Sequence, residues 1–132
     1  MRYVTGTREA GGSRSELVRP LTVAWLVHGE LRRRGEAWVS DLASVRYRAT
    51  IPGAALAERG HTVRLVPVTG TFDPAVLMPR LEADVVVVGK SFRRETETLV
   101  IEAKRRGARI LVDLCDDHFQ TPDLAAHQHA LV

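Results

Sequence analysis

The chain has 132 residues, 45% of them hydrophobic, and carries 19 Lys+Arg against 16 Asp+Glu, a net charge of +3. That length suits one domain whose core needs no metal or disulfide staple, and so small a charge excess gives no ground for a nucleic-acid partner. Cys115 is the sole cysteine, which excludes an intrachain disulfide, and no stretch resembles a secretory signal or a transmembrane span, so a cytoplasmic location is expected.

Residues 1–20 mix Gly, Ser, Thr, Arg and Glu without apolar periodicity and read as a flexible leader; residues 21–132 read as the folded unit. From Leu21 the pattern alternates. Residues 22–27 (TVAWLV) form a continuous apolar run, as a strand buried on both faces does. Residues 28–44 read as a long loop in which Arg32, Arg33 and Arg34 are solvated and mobile. A helix follows and ends at Gly60. Its start has two readings: near Ser44 with a kink at Pro52, or at Pro52 itself as the first helical residue.

Residues 62–68 (TVRLVPV) give a second strand, placed at the sheet edge by Arg64 and Pro67. Asp73-Pro74 suits the cap and first turn of a short helix carrying Leu77 and Leu81, which Pro79 limits. Residues 84–89 (DVVVVG) are the strongest strand. Residues 94–106 place Thr96, Leu99, Val100 and Ala103 on one helical face, with Glu102 and Arg106 spaced to pair outside. Residues 109–114 give a fourth strand, and 123–131 suit one more helix.

Valine-rich strands alternating with helices imply a Rossmann-like doubly wound parallel sheet, three layers α/β/α, of about four to five strands. Right-handed crossovers place 22–27 between 62–68 and 84–89, with 109–113 beyond. Ligands in such sheets sit beyond the carboxyl ends of the strands, where the winding reverses. The residues emerging on that rim are His28 and Gly29, then Gly89, Lys90 and Ser91, then Asp113, Asp116, Asp117 and His118. Lys90 is spaced to pair with one of these acids. Against a site stands the ordinary use of Asp in loops, where it caps backbone amides.

Several chemistries fail on spacing. The segment after the first strand, HGELRRRGEAWVS, lacks G-x-G-x-x-G, so no dinucleotide cofactor is expected. Gly89-Lys90-Ser91 lacks the upstream glycine of a phosphate-binding loop. His127 and His129 are two apart and would diverge on a helix, and Cys115 has no partner, so no zinc site is expected. Asp116 and Asp117 alone supply too few oxygens for magnesium, and no nucleophile elbow anchors a Ser-His-Asp triad. No metal and no cofactor are therefore expected. Arg46 and Arg48, in SVRYRATIP, have two readings: an anion-binding pair at a helix start, or a solvated helix face with Tyr47 packed inward.

The series ASVRYRATIPGAALAERGHTVRLV, then ADVVVVGKSF, then ARILVDLCDDHFQTPDL resembles the N-terminal domain of group 1 glycosyltransferases of the GT-B fold, over roughly residues 21–131. The resemblance implies two Rossmann-like domains facing a cleft, the first receiving a sugar or sugar-phosphate acceptor, the second holding the nucleotide sugar through an E-x7-E motif. This chain shows no such motif, so the resemblance implies the acceptor-side half of a hexosyltransferase-type enzyme, truncated and inactive alone, reaching a nucleotide sugar only through a missing C-terminal domain. Carried over by position, Arg46, Arg48, Asp116, Asp117 and His118 would line the cleft, none of them with an assigned catalytic role. The other reading is a non-catalytic Rossmann-like module binding a small ligand or a partner protein. A receiver domain is disfavoured, because His28 and Gly89-Lys90 occupy the positions where its acids would stand. An uncovered sheet edge after residue 113 is expected to promote self-association.

Overall fold

A computed structural model describes residues 19–89 and 93–113. Four parallel strands form one sheet: β1 (Thr22–His28), β4 (Thr62–Val68), β5 (Val85–Gly89) and β6 (Arg109–Asp113), in the order β4-β1-β5-β6. This is the α/β order expected from the sequence, with Arg64 and Pro67 on an edge strand. Helices cover both faces. On one lie α1 (Ala43–Val45), a π-helical segment (Arg46–Thr50) and α2 (Ile51–Glu58); on the other lie α3 (Pro74–Leu77), a 3-10 turn (Met78–Leu81) and α4 (Arg94–Arg105).

Strand alternation divides the core. Ala24, Leu26, Val66, Val86 and Val88 point to the α3/α4 face and meet Leu81, Leu99 and Val100. Val23, Trp25, Val27, Leu65 and Val87 point to the other face and meet Val45 and Ala49. The buried side of α4 is Thr96, Leu99, Val100 and Ala103, as the periodicity predicts. Glu102 pairs with both Arg106 and Arg105, one partner more than the spacing suggested, and the guanidiniums, Arg105 first, draw its carboxyl down to about 2. Asp73 caps α3 by accepting from the Ala75 N–H at 2.9 Å. Helices α2 and α4 stop by the same device. Gly60 and Gly107 take positive φ, and the two N–H groups after each helix return to its last turn: Gly60 to Ala57 and His61 to Leu56, then Gly107 to Lys104 and Ala108 to Ala103.

Three expectations are corrected or resolved. Residues 28–44 are not all loop: β2 (Arg32–Arg34) and β3 (Ala37–Val39) form an antiparallel hairpin about Gly35-Glu36. Arg33 stacks 4.4 Å over the Trp38 ring and Arg32 pairs with Asp41, so these arginines are held on an ordered ribbon. The helix begins before Ser44 and runs through Pro52, by way of the π turn. Pro52 has no N–H for the Arg48 carbonyl, and its ring would press on that carbonyl in a regular helix; the wider turn relieves this, with the Ile51 N–H reaching back to the Arg46 carbonyl. Tyr47 is not packed inward. Val45 and Ala49 take the inward positions, and Tyr47 between them is 70% exposed.

Asp84 ties the lower ends of three strands. Its backbone N–H donates to Thr22 and its carbonyl accepts from Arg109, while its carboxylate accepts from the Thr22 N–H at 2.8 Å and from Arg19 at 2.7 Å. These bonds, the Thr22 amide first, hold its pKa below the ordinary carboxylate value. The depressed pKa makes this stabilisation complete above the unfolded value of about 3.9 and lost as pH falls through the folded one. Asp84→Asn is therefore expected to lower stability at pH 7 and to flatten its decline below about pH 4, checked by urea denaturation across pH.

The segments 1–18, 90–92 and 114–132 lie outside the described residues, and with them most of the leader, Lys90, Cys115, Asp116, Asp117, His118 and the helix expected over 123–131.

Candidate functional site

The carboxyl rim of the sheet carries the site that can be described. Strand β1 ends at His28, β5 at Gly89 and β6 at Asp113, aligned by parallel register: Gly89 lies opposite Asp113, and His28 opposite Val68 on the other side. Above this rim, on the α1/α2 face, Arg48 of the π turn forms an ion pair with Asp113. The two are 65 residues apart in the chain and partly buried. A cavity of about 60 Å³ lies under the pair, lined by Trp25, Val27, Val45 and Ala49 and reaching Gly89. Gly89 lines the same cavity as Arg48 and Asp113, and a Cβ built on it would meet nothing within 4 Å, so the end of β5 is open on this side.

The expected site residues divide by face. Arg46 is committed to structure: it donates to the Ser40 and Asp41 carbonyls at 3.1 and 2.7 Å and so closes the turn entering the helix. Arg48 alone of the two arginines reaches the rim. Gly29 leaves β1 at φ 142, where a Cβ would stand 3.1 Å from both Leu42 and Val45. This glycine lets the chain turn tightly beneath the helix. His28 stands at the same rim, but its ring lies on the opposite face, following Ala24 and Leu26, with its centroid 6.5 Å from that of Phe72. Its Nε2 is buried and has no hydrogen-bond partner among the described residues. Lys90, Asp116, Asp117 and His118 lie outside the described residues, so their placement at the rim stays an expectation.

Burial first, and the Arg93 charge second, push the His28 pKa below its ordinary value of 6.5. The unfolded state then binds more protons between the folded pKa and about 6.5, so stability rises with pH across that window and is complete above it. His28→Phe is expected to remove this part of the pH dependence while keeping the contact with Phe72. Thermal melts at several pH values between 5 and 8 check it.

The sequence sets Arg48 beside Arg46 and Asp113 on the rim, but does not pair the two. No sequence signal pairs them, because the direction Arg48 takes depends on the phase of the π turn. Among the described residues no cluster of three or more His, Cys, Asp or Glu could hold a metal, and no helix is long and apolar enough to cross a membrane. Searches of family profiles, of curated proteins and of solved structures find no match to this chain.

Proposed function

We propose that this chain is the acceptor-side domain of a GT-B-type glycosyltransferase, receiving a sugar or sugar-phosphate at the carboxyl rim while a second, donor-binding domain supplies the nucleotide sugar. The observation that carries the reading is the pairing of Arg48 with Asp113 at the rim, beside a cavity that Gly89 also lines. A carboxylate accepts from sugar hydroxyls and a guanidinium donates to hydroxyl or phosphate oxygens in a fixed fork. The cavity below, about 60 Å³, has room for a hydroxymethyl-sized group, so a sugar ring would rest over the rim and send one substituent down beside Trp25. The resemblance implies that Asp116, Asp117 and His118, which lie outside the described residues, would join the same edge.

In this reading the domain contributes by positioning an acceptor hydroxyl, the part of catalysis that comes from orientation. Stabilisation of the departing diphosphate belongs to the donor domain. The test is an amide-shift titration of the chain with hexose phosphates and the corresponding free hexoses. Shifts at Arg48, Gly89 and Asp113, abolished in Arg48→Gln, support the proposal. Shifts confined to other surfaces, or none at millimolar ligand, overturn it. Incubation with nucleotide sugars and acceptors is expected to give little turnover; robust transfer by this chain would mean that the donor site lies within it.

A further inference from the structure

Strand β4 pairs only with β1 among the described residues, so its outer edge carries unpaired backbone groups. Proteins usually blunt such an edge. Here it forms the floor of a groove of about 520 Å³. One wall is the β2–β3 hairpin, which brings Trp38 and Arg33; the other is the 3-10 turn, which brings Pro79 and Arg80; Arg64 rises from the floor.

The charge of this groove is one-sided. Arg33 donates to the Glu36 carbonyl and Arg64 to the Glu82 carbonyl at 2.8 Å, and neither these two nor Arg80 forms an ion pair among the described residues. The one lining carboxylate, Glu82, already pairs with Arg106. Moreover, the cations stand on both faces of the strand. Arg33 sits with Trp38 on the α1/α2 face, while Arg64 reaches the 3-10 turn on the other.

We propose that the β4 edge binds an extended acidic peptide by strand addition. Backbone bonds to the free edge give the affinity and side-chain alternation gives the selectivity. Successive side chains of an added strand point to opposite faces. Cations on both faces therefore select adjacent acidic residues, one toward Arg33 and the next toward Arg64 and Arg80. Pro67 has no N–H to offer, so pairing is confined to the Thr62–Val66 part of the strand. A second copy of the chain is a poor occupant, because edge-to-edge pairing would set these guanidiniums against each other.

The probe is a labelled peptide, acetyl-Val-Glu-Glu-Val-Val-amide, titrated with the full chain in fluorescence anisotropy at low and physiological salt. Binding that weakens with salt, falls about tenfold or more in Arg64→Glu/Arg80→Glu, and is lost when alternate peptide amides are N-methylated supports the proposal. The peptide-side changes leave the protein untouched, so they decide the matter even where the double variant folds poorly. Equal binding of the N-methylated peptide, equal binding of the Val-Lys-Lys-Val-Val counterpart, or tighter binding of an oligothymidylate overturns it. So does failure of the acidic peptide to bind at millimolar concentration.

Discussion

Replacing Leu26 by alanine is expected to remove about 2–5 kcal/mol of stability, a large share of the roughly 5–15 kcal/mol that holds a domain of this kind. Leu26 is 1% exposed at the centre of β1, between β4 and β5, where it meets the buried side of α4. Truncation there removes the transfer free energy of the lost carbons and leaves a cavity that a strand hydrogen-bonded on both sides cannot collapse into. Leu111, of the same residue type, lies on β6, the outermost strand among the described residues on that side, and is 53% exposed. Its alanine variant is expected to stay within about 0.5 kcal/mol of the parent. Urea denaturation of the two variants side by side checks the contrast. Similar losses at both positions would mean that β6 is covered and that the sheet does not end there.

The second large effect belongs to Gly29. Its φ of 142 is a region that side chains rarely adopt, and a Cβ would meet Leu42 and Val45 at 3.1 Å. Strain and overpacking then act together, and Gly29→Ala is expected to cost about 1–3 kcal/mol. Leu42 is 49% exposed and can give way, but Val45 is buried against the sheet, so relief on its side is expected to lift the start of the helix. Such a shift carries Arg48, three residues on, away from Asp113. The variant should therefore lose hexose-phosphate shifts at the rim at temperatures where it remains folded. An alanine variant that is destabilised but binds normally would show that the helix yields locally and the ion pair does not depend on this turn.

The sheet was legible because its information is dense. Four consecutive valines, flanked by Asp84 and Gly89, admit one reading, and the crossover rule fixed the strand order once four strands were recognised. The caps at Asp73, Gly60 and Gly107 were equally plain, since each needs a particular residue at a particular offset. The hairpin was not. Arg32–Arg34 and Ala37–Val39 are three residues each, too short for alternation to show, and a run of arginines resembles a solvated loop until Trp38 is seen beneath it. Nor could sequence choose how Pro52 is accommodated, because the π turn depends on the sheet holding Val45 and Ala49 inward at once. The pairing of Arg48 with Asp113 depends in turn on that turn's phase, which is why the rim was anticipated while its central contact was not.

Parallel strands carry a kinetic consequence. Thr22 lies beside Thr62, Val23 beside Val85, and Val85 beside Arg109. Each ladder thus encloses a wide excursion of chain, whose closure entropy is spent before a single rung rewards it. Only the hairpin and the helical turns can form from neighbours. The β5–β6 ladder encloses the shortest excursion and β1 must find partners on both flanks, so this chain should collapse early and complete its native topology late, when β1 docks between β4 and β5.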